Sequence, residues 1–536
     1  MTSPINWHKN AVFYELYLRA FHDGNNDGHG DFDGLRRRLD YLQWLGVDVI
    51  WLLPMYPSPL KDDGYDVASY YGINPTFGQL EDFMMTLEEV HRRGMKLITD
   101  LVLNHTSDQH PWFQEARRSK DSPMHDFYVW TEDPDKYKEA RIIFLDTERS
   151  NWAYNASTGE YYWHRFYSTQ PDLNYDNPRV REEALKMVKF WLDLGVDGFR
   201  LDAVPYLFER EGTNCENLPE THAFLKQVRK FVDDHYPGRI LLAEANQWPQ
   251  DLLPYFGDGD ELHMCFNFPV MPRLYMAVAK GDKTPVIDVI NATPAIPAGC
   301  EWATFLRNHD ELTLEMVTPE DRAFMWDFYA PEHSQRLNLG IRRRLAPLMN
   351  NDRDKIELMH SLLLTLPGTP VLYYGDEIGM GDDVSLPDRN GVRTPMQWSG
   401  DDVNGGFSAA PPNSLYAPVI RDPLYGFQIV NVASQQADSS SLLHTVRNML
   451  LKRKTQPALL DGALEWYETG TPSVLGFVRT TAADRVLALH NLTDTVQTIT
   501  LPAGKSYRHV LNDTPSLYSG SITLKRYAYL WLREES

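Results

Sequence analysis

The sequence predicts an α/β fold: a closed (β/α)8 barrel of the TIM type with an inserted domain, a lid insertion and a C-terminal antiparallel β-sandwich domain. Three observations predict it. Eight short, almost continuously apolar segments alternate with helical patterns, as strands of a parallel sheet covered on its faces do. That rhythm breaks twice, over residues 105–177 and 311–355. From about residue 463 it gives way to short alternating runs, the mark of half-buried antiparallel strands.

The first strand is predicted at 12–17. A helix follows over 33–45, with Leu35, Leu39, Leu42 and Leu45 at helical spacing and Gly46 ending it. Residues 49–53 form the second strand, 80–93 the next helix and 96–102 the third strand. After Asn104 and His105 the alternation stops. Residues 105–177, rich in Trp, Tyr, Asp and Pro, read as a loop-rich inserted B domain. The pattern resumes with a helix over 179–194, the strand GFRLD at 198–202, a helix over 221–236 and a strand at 240–244. Runs at 264–266, 303–306 and 371–374 complete the eight. Residues 311–355 carry charged, helical-looking sequence and read as a lid. Residues 474–478, 486–489 and 527–531 are strands of the last domain. The expected division is therefore 1–104 and 178–462 for the barrel, 105–177 for the insert and 463–536 for the β domain.

A chain of 536 residues exceeds one core of ordinary size. Lys and Arg total 52 against 74 Asp and Glu, a net charge of -22, which argues against nucleic acid or an anionic membrane as partner. The three cysteines, Cys215, Cys265 and Cys300, match no disulfide framework or metal knuckle. The N-terminal residues hold no apolar signal segment, and no run is long enough to span a bilayer, so a cytoplasmic location is expected. No phosphate loop or other organic-cofactor motif is present, and no organic cofactor is expected. Homo-oligomerisation is left open.

Oxygen ligands recur at every second position from residue 23: Asp23, Asn25, Asp27 and Asp31, with a main-chain carbonyl near His29. Gly28 takes the sharp-turn position of a calcium loop. The twelfth position is Gly34 and not a bidentate Glu, so the loop is not an EF-hand. Ca²⁺ or Mg²⁺ is expected there; a polar turn is the plain alternative.

Asp202, Glu244 and Asp310 each follow a short apolar strand, and His105 and His309 also sit at strand ends. In a barrel such ends converge on one mouth. Arg200, two residues before Asp202, projects to the same side of its strand and favours an ionised carboxylate. Two convergent carboxyls suit glycoside chemistry, one as acid and one as nucleophile; a third can hold sugar hydroxyls. Each acid alone could merely cap its strand.

These residues lie in short stretches, DLVLNH (100–105), QPDLNY (170–175), GFRLDAV (198–204), LLAEA (241–245) and LRNHD (306–310), that resemble the α-amylase superfamily, the family 13 glycoside hydrolases. The resemblance covers essentially the whole chain. It implies that Asp202 is the nucleophile, Glu244 the general acid/base and Asp310 the residue that fixes the sugar. It places Arg200, His105 and His309 around the sugar in the cleaved position and Tyr65 beneath it. Asp62, with Arg389 or Arg393, resembles the clamp on the non-reducing end in members that act on small substrates. Asn104, Asp172, Glu209 and the carbonyls of Tyr206 and Leu207 resemble a calcium site joining the B domain to the barrel. Val204-Pro205-Tyr206 replaces the Lys-His pair common in starch-cutting members, and Ala203 resembles the small residue of α-1,4-acting ones.

Within the family the likeness is greatest to members that interconvert maltose and trehalose, which implies a retaining intramolecular glucosyl transfer with minor hydrolysis. An α-glucosidase or sucrose-cleaving hydrolase is the alternative, and an inactive sugar-binding protein a more distant one. The inserts at 105–177, 311–355 and 381–430 all follow strand C-termini and are expected to crowd the mouth.

Overall fold

The structure is a computed structural model that describes residues 7–512 and 516–535. Eight parallel strands close the barrel: β1 (Phe13–Leu16), β2 (Val49–Leu52), β3 (Lys96–Val102), β4 (Gly198–Asp202), β5 (Ile240–Ala243), β6 (Met264–Phe266), β7 (Glu301–Phe305) and β8 (Thr369–Tyr373). Each lies within two residues of its predicted segment. Neighbours in sequence are neighbours in the ring, with β8 returning to pair with β1. The strands are buried almost throughout, which is why their sequences are apolar at successive positions.

Register aligns the functional ends. Val102 of β3 pairs with Asp202 of β4, and Leu201 of β4 with Ala243 of β5. Asp202 and the residues after Val102 and Ala243 therefore meet at one edge. The covering helices Phe32–Leu45, Leu80–Arg92, Pro178–Leu194 and Pro219–His235 stand within two residues of their predicted bounds. The first ends in Gly46 at φ 102°, a left-handed turn that favours glycine. Among the described residues no helix is long and apolar enough to cross a membrane.

The insert after β3 is not all loop. Trp130–Thr131, Trp152–Asn155 and Glu160–Trp163 form a small antiparallel sheet. Its core is Tyr137, Ala140, Trp152 and Trp163 together with Cys215, which comes from the loop after β4. The insertion after β7 departs from its helical expectation. Helix Pro319–Tyr329 is there, but Leu312–Thr313, Arg336–Leu337 and Gly340–Ile341 form a three-stranded sheet. These strands are two residues long, too short to leave a period. Arg353–Thr365 is the barrel helix before β8, so the last residues of 311–355 belong to the barrel.

The C-terminal domain begins at Ala463–Trp466 and holds a six-stranded antiparallel sheet and a two-stranded one, Gln497–Thr500 with Ser521–Leu524. Its last strand is Tyr529–Glu534 and not 527–531, because Tyr527 sits in a left-handed turn at φ 47°. A buried arginine joins this domain to the barrel: Arg479 donates to the Thr365 carbonyl, at the C-terminus of helix Arg353–Thr365, where a helix dipole favours cations. Within the barrel, Arg453 of helix Leu442–Lys454 donates to the Leu364 and Gly368 carbonyls beside it.

Candidate active site

Arg200 organises the floor of the mouth. Its Nη1 lies 2.5 Å from Asp100 Oδ1 and also contacts Asp202 Oδ1, while Nη2 lies 2.5 Å from Glu244 Oε1. One guanidinium thus holds three carboxylates from β3, β4 and the end of β5. Asp100 lies within the DLVLNH stretch, and only the folded register reveals its part here. It also accepts from Trp51 Nε1 at 2.7 Å.

Directly after Asp202 the chain turns through Ala203 at φ 52°, a left-handed conformation unusual for a non-glycine residue. The turn aims the Ala203 N–H at Glu244 Oε2, 3.1 Å away. A carboxylate on each of two adjacent strand ends is therefore tied to the other through Arg200 and one main-chain amide.

Asp310 is held from a different side. Its Oδ1 receives Arg389 Nη1 at 2.8 Å and Arg393 Nη2 at 3.0 Å, and its Oδ2 lies 3.1 Å from His309 Nε2. Arg389 also reaches Asp62, Nη2 to Oδ1 at 2.8 Å, whereas Arg393 binds Asp63 Oδ2 at 2.7 Å and donates to the His309 carbonyl. The two arginines are thus distinguished: Arg389 bridges Asp62 and Asp310, and Arg393 fastens the floor behind them. Tyr65 stacks on His309, ring centroids 5.2 Å apart and 10° from parallel.

These groups line one pocket at the mouth of the barrel. Asp62, Tyr65, His105, Asp202, Glu244, His309, Asp310 and Arg389 all face it. The B domain adds Ile143, Phe144 and Phe166, and the lid adds Glu311, Thr313 and Glu315. Asp202, Glu244 and Asp310 keep 9%, 20% and 23% of their side chains exposed, so a ligand entering the pocket meets all three.

Burial dominates the protonation of the two central acids. It pushes Asp202 up to about 6 and Glu244 up to about 7, each against the pull of Arg200. Asp310 goes the other way. Burial would raise it, but His309, Arg389 and Arg393 hold it well below the usual carboxylate range. Burial lowers His105 to about 3, leaving a neutral imidazole.

Of the two candidate cation sites, one is favoured by unsatisfied oxygens. Asn104 Oδ1, Asp172 Oδ2 and Glu209 Oε1 are buried, and none has a hydrogen-bond partner among the described residues. Burial pushes Asp172 up to about 8 and Glu209 well above its usual range. Two buried carboxyls short of donors call for protons or a cation. Among the described residues no three His, Cys, Asp or Glu side chains gather as a ligand group; this set needs only two carboxylates, with an amide and the Tyr206 and Leu207 carbonyls.

The 23–31 loop is different. Asp31 caps helix Phe32–Leu45 by accepting from Gly34 N, and also accepts from Gly24 and Asn25. Asp23 accepts from the amides of Asn25, Asn26 and Gly28. Asp27 accepts from His29 N and Asn25 Nδ2, and His29 Nδ1 takes a hydrogen bond from Arg19 Nε. No buried side-chain oxygen of this loop lacks a donor, so a cation here keeps only its ligand spacing as support.

Among functional-site neighbours absent from the sequence reading, Glu15, Asp63, Asp100 and Arg141 stand out. All are charged residues inside strands or loops with partners far away in sequence; Asp100 alone lies in a motif stretch, which gives no sign of its contact with Arg200.

A closed parallel barrel with three acids facing one pocket at its mouth defines a glycoside-acting enzyme. The chain belongs to the alpha-amylase family, whose catalytic domain matches residues 15–327 and 341–462; the C-terminal domain of alpha-amylase SusG matches 474–528. The gap at 328–340 falls in the lid. Over 527 residues the chain is 56% identical to the trehalose synthase/amylase TreS of Mycobacterium tuberculosis, covering 97% of this chain and 87% of that protein. It is 52% identical to the trehalose synthase of Pimelobacter sp. strain R48, covering 98% and 96%. Among solved structures, the trehalulose synthase MutB of Pseudomonas mesoacidophila MX-45 matches with a TM-score of 0.81 at 28% identity, covering all of both chains.

Proposed function

We propose that this enzyme interconverts maltose and trehalose by a retaining, intramolecular glucosyl transfer, with minor hydrolysis to glucose. Glu244, as the acid, protonates the glycosidic oxygen of maltose while the Asp202 carboxylate attacks the anomeric carbon. The carbon–oxygen bond breaks, leaving a β-glucosyl ester on Asp202 and a free glucose. That glucose turns within the pocket. Glu244, now a carboxylate, takes the proton from its anomeric hydroxyl, the oxygen attacks the anomeric carbon of the enzyme-bound glucosyl group, and the Asp202 carboxylate departs. Two inversions restore the α configuration at the transferred glucose, and attack by the α-anomer of the freed glucose makes the bond α,α-1,1. With water in place of the turned glucose, the same steps give hydrolysis.

Arg200 and the Ala203 amide keep the two carboxyls in fixed relation. Asp310 and Arg389 hold hydroxyls of the transferred glucose, Asp62 limits that end of the pocket, and Tyr65 stacks beneath the ring. The observation that carries the isomerase reading is the enclosure on the other side. Arg141 of the B domain lies 3.1 Å from Glu315 of the lid and 2.8 Å from Glu216 of the loop after β4. Asn246 donates to the same Glu315 oxygen at 2.8 Å, and Asn338 of the lid donates from its main chain to Asp146 at 2.8 Å. Such a ring of contacts suits an intermediate that must be shielded from water.

Asn104, Asp172, Glu209 and the Tyr206 and Leu207 carbonyls would hold Ca²⁺, supplying charge balance that ties the B domain to the loop after Asp202. A cytoplasmic setting is part of this reading. Incubating the protein with maltose tests the proposal: trehalose as main product is expected, and glucose alone would make it an α-glucosidase.

A further inference from the structure

Glu15 is a carboxylate buried in β1 that no step above uses. It is 0% exposed. A charge sealed inside a barrel must be matched or it destabilises the fold. Its Oε1 accepts from the His309 main-chain N–H at 3.1 Å and meets His309 Nδ1 at 2.6 Å, while Oε2 has no hydrogen-bond partner among the described residues. Both contacts go to a single residue at the end of β7.

We infer that Glu15 is a positioning residue of the glucosyl-transfer site, holding His309 as an oriented imidazolium whose other nitrogen grips Asp310. The geometry is a line: Glu15 Oε1, His309 Nδ1, His309 Nε2, and Asp310 Oδ2 at 3.1 Å. A neutral imidazole can donate from only one nitrogen, so a ring that donates to a carboxylate on each side is the protonated one. Stacking on Tyr65 and an edge contact with Trp51 fix the ring plane. Glu15 thus acts at one remove. It sets the charge of His309, which in turn helps keep Asp310 ionised and aimed into the pocket.

The charges around this line agree with that state. Burial alone would lower His309, but Asp310 and Glu15 together push it up to about 9. Asp100 faces it from β3, and Arg393 binds its carbonyl and Asp310. Behind Glu15 lie Tyr373 of β8 and Asp376, the latter 3.3 Å from Arg344.

The role presupposes the transfer site proposed above, so the readout is maltose consumed, whatever the product. Failure to form trehalose would then count against the isomerase reading and leave this one standing. In Glu15→Gln the side chain keeps its size but loses its charge, and His309 is left to titrate nearer its ordinary range. The ratio of variant to wild-type kcat/KM is measured from pH 5 to pH 8. It should be near unity at pH 5, where acid protonates His309 unaided, and fall by about 10- to 100-fold at pH 8, the size of loss when an outer partner of a site residue is removed. Taking the ratio cancels the titration of Glu244 common to both proteins. Adding Glu15→Gln to a His309→Gln background should cost nothing more. A ratio constant with pH, or losses that simply multiply, would overturn the inference. Should Glu15→Gln fail to fold, Glu15→Asp, charged but too short to keep the full contact with His309, must show a deficit that grows from pH 5 to pH 8 by less than the roughly 10-fold expected of Glu15→Gln, and a deficit constant with pH overturns the inference.

Discussion

Arg141 of the inserted domain holds Glu315 of the lid, Nη1 and Oε2 lying 3.1 Å apart beside the pocket that Glu315 lines. The two residues come from inserts after different strands and are 174 positions apart by number, so the contact exists only when both inserts fold over the same mouth. Arg141→Ala should loosen that cover without touching Asp202 or Glu244. A partly exposed ion-pair network contributes on the order of 1 kcal/mol, so the ratio of free glucose to trehalose should rise about fivefold while maltose consumption changes little. Product chromatography reads it. Equal loss of both products would show that Arg141 supports the fold and not the fate of the intermediate.

Removing either central carboxyl should be far more severe. Asp202→Asn and Glu244→Gln should each cut maltose consumption by about 10⁴-fold or more, the scale seen when a covalent nucleophile or its proton-transfer partner is lost. Both variants should fold, since each replaces a buried charge by an isosteric amide. A folded Asp202→Asn protein that kept a tenth of wild-type turnover would rule out Asp202 as nucleophile.

The pH profile follows from the two raised acids. Asp202 must be ionised to attack, so activity is lost as pH falls through about 6. Glu244 must carry its proton to act as acid, so activity is lost as pH rises through about 7. A plot of kcat/KM against pH should therefore be a narrow bell centred between those values, and its limbs belong to the coupled pair. A flat profile from pH 5 to 9 would contradict the assignment of both groups.

Cation binding at Asn104, Asp172 and Glu209 should show in stability. A ligand present at 100 times its Kd adds about 2.7 kcal/mol to unfolding, so chelation should lower Tm and added Ca²⁺ restore it. Glu209→Gln, which removes one of the two carboxylates, should abolish the restoration. Elemental analysis finding no bound divalent ion in protein never exposed to chelator would remove this site from consideration.

Much of this was legible one residue at a time. The eight strands are readable because burial on both faces demands apolar residues at successive positions, a local property of each segment. Asp202, Glu244 and Asp310 stand out because each interrupts such a run at its end, where a barrel gathers its chemistry. The strands at Gln497–Thr500 and Ser521–Leu524 left no such trace, since each is four residues long and together they carry only three apolar residues, Ile499, Ile522 and Leu524.

What no stretch of sequence could decide was which charges meet. Asp62 had two arginine candidates four residues apart, and local pattern treats Arg389 and Arg393 alike. Closing the barrel brings Arg389 to Asp62 and turns Arg393 to Asp63. Glu15 and His309 are 294 positions apart and are joined only because β7 and β1 lie on either side of β8 in the ring. A carboxylate's identity is written in the chain. Its partner, and with it its charge at a given pH, depends on distances of a few ångströms between segments that only the closed barrel brings together.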